Sequence, residues 1–88
     1  MHLARVKSGH DRNHVYLIVR EDERNVYLAN GTTKHNENPK RKNKKHIQLI
    51  KQIPLEVLEK VDCERLSENT IVEKLIRTYE QYIATRKD

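Results

Sequence analysis

From Asn30 to His46 the chain runs seventeen residues without one Ala, Val, Ile, Leu, Met, Phe, Trp, Tyr or Cys. A core is built by removing apolar side chains from water, so this span cannot supply one. The apolar material before and after it must fold together around a polar excursion. The span is expected to be an exposed hairpin arm and loop, and long exposed loops in compact domains are usually functional or mobile. Eighty-eight residues suit one domain with a modest core. With 35% of residues apolar, 35% charged, and no Trp or Phe, little remains to line a deep pocket. An enzyme, a cofactor and a small-molecule substrate are therefore not expected.

Before the polar span the chain reads as strands. Leu3–Lys7 is short and bounded by Ser8-Gly9. Val15–Arg20 and Asn25–Ala29 are rich in β-branched and aromatic residues. A turn at Asp22-Glu23 places Val19 opposite Val26, Ile18 opposite Tyr27 and Leu17 opposite Leu28. One face then collects Val15, Leu17, Val19, Val26 and Leu28, and the other Tyr16, Ile18, Tyr27 and Ala29. Both faces are apolar. A barrel interior covers one, and later helices cover the face bearing Tyr16 and Tyr27, which are expected to pack there rather than stack on bases. Asn30-Gly31 predicts a type I′ hairpin turn, launching a strand from Thr32 to about Asn36. After Pro39 and the basic run, His46–Ile50 predicts the last strand.

Beyond residue 51 the pattern turns helical. Pro54 suits a first turn, with Leu55, Leu58 and Val61 as a stripe and an end near Val61-Asp62-Cys63. A second helix follows Ser67-Glu-Asn-Thr70, capped by Ser67 or by Thr70, whose spacing to Glu73 fits a capping box. Ile71, Val72, Leu75, Ile76, Tyr79 and Ile83 recur on one helical face, with Tyr82 at its rim. Glu56, Glu59, Glu64, Glu68 and Glu73 read as the polar faces.

Charge divides along the same line. Residues 1–51 hold 12 Lys/Arg against 5 Asp/Glu, net +7, whereas residues 52–88 hold 6 against 8, net −2. An anionic partner touching the first part alone explains that split. Cys63 is the single cysteine; it excludes an internal disulfide and reads as a small packed residue. The longest apolar run, Val15–Val19, is far short of a membrane span. The opening residues lack a hydrophobic signal core, so a cytoplasmic location without membrane contact is expected.

The segment Val6-Lys-Ser-Gly-His-Asp-Arg-Asn-His-Val15 resembles a KOW motif, in which a strand leads through a Gly-basic-Asp-basic-Gly turn into a hydrophobic strand. Gly9, His10, Asp11 and Arg12 fit; Asn13 stands where the family usually has Gly, and Asn is the next-best residue for a left-handed backbone. The Asn30-Gly31 turn, the Pro39-Lys-Arg-Lys run and Lys45-His46-Ile47-Gln48 extend the likeness to bacterial KOW-domain proteins. Those resemble the eukaryotic and archaeal large-subunit ribosomal proteins of the fourteen-e type. The likeness spans residues 1–50. It implies a five-stranded SH3-like KOW barrel over residues 1–51; with the two helices read from the pattern of residues 52–88 packed on it, one compact α+β domain is expected. It also implies a partner, ribosomal or other structured RNA, with ribosomal proteins as neighbours.

Lys40, Arg41, Lys42, Lys44 and Lys45 are the foremost phosphate-binding candidates, since five cations within six positions repel one another unless an anion compensates. The bland alternative is a solvated loop. Lys34 and His35 extend the same arm. His10, Arg12 and His14 sit at the KOW-like turn, from which duplex RNA is read by phosphates, 2′-hydroxyls and shape. Gly9, Asp11, Asn13, Asn30 and Gly31 are expected to shape turns, with the Asp11 carboxylate bonding turn amides. His10 and His14 have a zinc-like spacing, but Gly9, Asp11 and Asn13 make the segment a turn rather than a helix. Two rival functions stand beside RNA binding: a protein–protein adaptor of the transcription or translation machinery, and non-specific DNA binding.

Overall fold

Side chains alternate along Val15–Val19, so two apolar surroundings are needed. In the computed structural model, which describes residues 2–61 and 68–85, one antiparallel sheet and its helical cover supply both. The strands are β1 (His2–Val6), β2 (Val15–Glu21), β3 (Asn25–Ala29), β4 (Lys40–Asn43) and β5 (Ile47–Ile50). Their spatial order is β4-β3-β2-β1-β5. β4 and β5 thus lie at opposite edges, yet a single 3-10 turn, Lys44–His46, joins them. Across a flat five-stranded sheet the edges would be about 19 Å apart, whereas three residues reach about 10 Å. The sheet therefore curls until its edges approach. Two helices follow, α1 (Leu55–Glu59) and α2 (Glu68–Thr85), of which only α2 is long. The chain is α+β.

The curl makes two cores. Ala4, Val6, Tyr16, Val26 and Leu28, with Ile18 and Ile47 at their margin, come from strands alone and fill the inside. On the outer face Leu3, Val15 and Leu17 pack against Ile53, Val57, Val61, Val72, Leu75, Ile76 and Tyr79. Each fully buried Leu or Val contributes about 1.5–3 kcal/mol. The straight register expected between β2 and β3 is not the observed one. Leu17 faces Ala29 and Ile18 faces Leu28, and beyond an irregularity Arg20 faces Tyr27 and Glu21 faces Val26. One extra residue, Val19, bulges from the ladder. Val26 and Leu28 consequently join Tyr16 and Ile18, and the helices cover the Val15–Leu17 face instead of the Tyr16 face. Tyr16 is still core, 4% exposed, and burial pushes its phenol pKa up.

The polar span does not form the expected arm. Only Gly31 of the Asn30-Gly31 pair has positive φ, +80°, so the turn is not type I′, and Thr32–Asn36 is not a strand. Instead the Asn30 carboxamide oxygen accepts the amides of Thr32 and Lys34 at 3.0 and 2.9 Å, and the Asn30 amide donates to the Lys34 carbonyl. The far side of this loop docks on the start of α2: the Asn36 amide donates to Asn69 Oδ1 at 2.9 Å, and Asn69 Nδ2 donates to Glu37. A bond from its own backbone, then the one from Asn69, holds the Glu37 carboxyl below its ordinary pKa. The basic run is not a loop either. Residues 40–43 form β4, with Leu28 opposite Lys40, Tyr27 opposite Arg41 and Val26 opposite Lys42. Lys and Asn favour strands poorly; the open edge of β3 supplies the pairing, and lysine stems cover apolar surface while their heads stay wet.

The helical half departs from its stripes in detail. Leu55 and Leu58 are 71% and 40% exposed; of the expected stripe only Val61 is buried, together with Ile53 and Val57. A five-residue helix is too short for its own stripe to decide how the chain lies. On α2, Val72, Leu75, Ile76 and Tyr79 are buried as expected and Tyr82 is half-buried, but Ile83 is 41% exposed. Thr70 lies inside α2 and so is not its cap. The expectations for Cys63, Glu64 and Ser67 fall outside the described residues.

Candidate nucleic-acid interface

The turn between β1 and β2 is built by two left-handed residues, Gly9 at φ +86° and Asn13 at φ +72°. Asn13 thus holds the conformation for which the family pattern uses Gly. The Asn13 amide donates to the Val6 carbonyl at 2.7 Å and the Val6 amide to the His14 carbonyl at 3.0 Å; Arg12 and His14 donate to the carbonyls of Gly9 and Asp11. Arg5 Nη1 braces the outside by donating to the Asn13 carbonyl at 3.1 Å. His10, Arg12 and His14 are left exposed. The Asp11 carboxylate does not bond turn amides as expected: it forms an ion pair with Lys40.

That pair splits the basic run. Residues opposite one another across antiparallel strands share a face, so Lys40 and Lys42 point the way Leu28 and Val26 do. There Lys40 holds Asp11, and Lys42 Nζ reaches the Ser8 carbonyl at 3.5 Å. Lys44 pairs with Glu21 at 3.3 Å. Three of the five cations thus brace the fold. Arg41 and Lys45 are exposed, with no ion pair among the described residues. Lysines on an edge strand also have a bland use, since they deter edge-to-edge pairing with other chains; β4 is such an edge. Lys34 and His35 are exposed on the loop docked to α2.

The 3-10 turn binds the two ends of this surface. The Lys7 amide donates to the His46 carbonyl at 2.8 Å, and Ser8 Oγ lies 3.1 Å from His46 Nδ1. Its start is held by the Lys44 amide donating to the Arg24 carbonyl. A cleft of about 450 Å³ opens there between Glu23, Arg24, Asn43, Lys44 and Lys45. At the opposite turn, His14, Asn30, Thr32 and Arg77 border a cleft of about 280 Å³ between the sheet and α2. Among the described residues no three His, Cys, Asp or Glu gather closely enough to hold a metal. No helix among them is long and apolar enough to cross a membrane.

Arg20 and Tyr27 lie in register with Arg41 across β2, β3 and β4; the sequence placed Tyr27 in the core and gave Arg20 no role. The Arg20 guanidinium carbon lies 4.4 Å from the centre of the Tyr27 ring. Tyr27 is half-buried rather than core, and its hydroxyl donates to Asp22 Oδ2 at 3.0 Å. Asp22 Oδ1 accepts the amides of Asn25 and Arg24 at 2.7 and 3.0 Å; these bonds, Asn25's first, hold the Asp22 carboxyl below its ordinary pKa. The bulge at Val19 brings Arg20 beside the ring, and nothing in the local sequence marks a bulge. Compared with models of known protein families and with curated proteins, the chain matches none.

Proposed function

We propose that the chain is an RNA-binding domain of the SH3-like KOW kind, acting in the cytoplasm on structured RNA, ribosomal RNA foremost, without catalysing a reaction. The curled five-stranded antiparallel sheet is consistent with a small barrel of that kind. The observation that carries the reading is the bracing of the Gly9–His14 turn by Lys40 and Lys42. Cations spent on holding a turn, whose exposed members are His10, Arg12 and His14, make sense where that turn meets an anion of fixed shape. Arg41, Lys45 and Lys34 are further exposed cations, open to phosphates. Phosphate contacts position such a surface, and shape readout at the turn supplies selectivity.

The test is co-sedimentation of the full chain with the large ribosomal subunit, comparing wild type with an Arg12→Gln/Arg41→Gln/Lys45→Gln variant. Loss of co-sedimentation in the folded variant is the expected result; unchanged co-sedimentation refutes phosphate binding. Competition by duplex DNA at equal potency would reduce the reading to non-specific electrostatics. One observation favours the adaptor reading as second: Leu55 and Leu58 stand exposed on α1. It predicts that Leu55→Glu/Leu58→Glu, and not the charge variant, abolishes association with the ribosome.

A further inference from the structure

The outer face of the sheet is only partly covered. α2 and the segment before it pack on Leu3, Val15 and Leu17. Past the bulge, Arg20 faces Tyr27 on the neighbouring strand and Tyr27 faces Arg41 on the next. Directly opposed residues project from the same side, so the three form one row across β2, β3 and β4, about 10 Å from end to end. We propose that this row is a seat for an unpaired nucleotide of RNA, its base stacked on the Arg20–Tyr27 pair and its phosphate held by Arg41. The proposal rests on the RNA-binding reading above and deepens it, since that reading needs only phosphates and shape.

Three features favour this occupant. The Arg20 guanidinium lies over the Tyr27 ring, 4.4 Å from its centre, so its outer plane, backed by the ring, is the surface offered. Bases of single strands stack on guanidinium planes as they do on aromatic rings. The ring is pre-set: its hydroxyl is tethered to Asp22, and Asp22 is itself fixed by two backbone amides. Little side-chain freedom is then left to lose on stacking. Neither Arg20 nor Arg41 has an ion pair among the described residues, and both are exposed. An acidic peptide would use the two guanidinium groups but gain little from an aromatic ring between them. A nucleotide uses all three groups, because it carries a π face and an anion one strand spacing apart.

The full chain is titrated with a short single-stranded RNA containing 2-aminopurine, and with a blunt RNA duplex of matched length. Quenching of the 2-aminopurine on binding reports stacking. Tyr27→Leu, which keeps the position apolar, is expected to weaken single-strand binding about 5- to 150-fold and abolish the quench. Duplex binding should be unchanged, since its phosphate contacts are untouched. Arg20→Gln should reduce the quench similarly, and Tyr27→Phe, which keeps the ring, should retain it. If Tyr27→Leu is unfolded by circular dichroism, the Arg20→Gln and Tyr27→Phe pair decides. Unchanged single-strand binding or quenching in folded Tyr27→Leu or Arg20→Gln overturns the seat while leaving the RNA reading in place. Equal loss on duplex and single strand overturns it too. Wild type binding neither RNA overturns both readings, and displacement of the RNA by poly-glutamate at equal charge concentration reassigns the row to acidic peptides.

Discussion

Replacing Arg41 or Lys40 by Gln removes the same charge from adjacent positions of β4, yet the two changes should act on RNA binding in different ways. Arg12, Lys34, Arg41 and Lys45 are exposed and have no ion pair among the described residues. If these four meet phosphates, each contributes about −0.7 to −0.9 to the log–log salt slope, about −3 to −4 in all. At a slope near −3.2, affinity falls roughly 80-fold between 50 and 200 mM salt. Arg41→Gln should bring the slope to about −2.4 and the loss to roughly 30-fold. Lys40 already faces Asp11, and both side chains are about a quarter exposed. Its removal should cost roughly 1–2 kcal/mol of stability, between the values for exposed and buried pairs. By loosening the turn it should weaken binding by a similar factor at every salt concentration, with little change of slope. Fluorescence anisotropy of a labelled structured RNA across a salt series separates the two. A folded Lys40→Gln protein whose slope drops as much as that of Arg41→Gln refutes the division of the basic run into braces and contacts.

Gly31→Ala should destabilise the fold by about 2–4 kcal/mol, since its φ is +80° and a Cβ there would meet the Asn69 carbonyl oxygen and lie 2.7 Å from the Glu73 amide nitrogen; a melting temperature lowered by less than a few degrees would refute the docking of the loop on α2. Leu75→Ala should cost about 2–5 kcal/mol and Leu55→Ala almost nothing, because the first is 2% exposed and the second 71%; urea midpoints check the pair. Asp22 is held below its ordinary pKa by the amides of Asn25 and Arg24. Its stabilisation is therefore fully present above the unfolded carboxylate range and is lost as pH falls through the lowered folded value. The stability difference between wild type and Asp22→Asn should shrink on acidification, measured as urea midpoints from neutral pH downward, and a difference that grows in acid would reverse the sign of this reasoning.

Strands with their own apolar alternation could be read from the chain directly. Val15–Val19 and Asn25–Ala29 announce themselves, as does the helical face Val72–Tyr79. β4 could not be read, because Lys40-Arg-Lys-Asn43 has the composition of a loop and becomes a strand only when β3 offers it an edge. The Gly9–Asn13 turn was legible from its residues, since Gly and Asn are the ones that tolerate positive φ. The partner of Asp11 was not: Lys40 lies 29 positions on, and only the register of β3 with β4 brings it across. The same holds for the Arg20–Tyr27–Arg41 row, which a one-residue bulge creates. Had the register that pairs Leu17 with Ala29 and Ile18 with Leu28 run on without the bulge, Val19 would stand beside Tyr27 and the row would be apolar at one end.

The pairing of the first strand with the last also dictates an order of assembly. Leu3 lies opposite Ile50, 47 positions later, and the residues that shield the outer side of Leu3 come later still. β1, β2 and β3 can meander together as soon as they leave the ribosome that makes them. Until β5 and α2 arrive, that meander carries an open edge along β1 and a bare apolar flank at Val15 and Leu17. Both are the surfaces through which incomplete chains stick to one another. Ending synthesis before Glu68, and so without α2, should therefore yield an aggregating product rather than a smaller soluble domain.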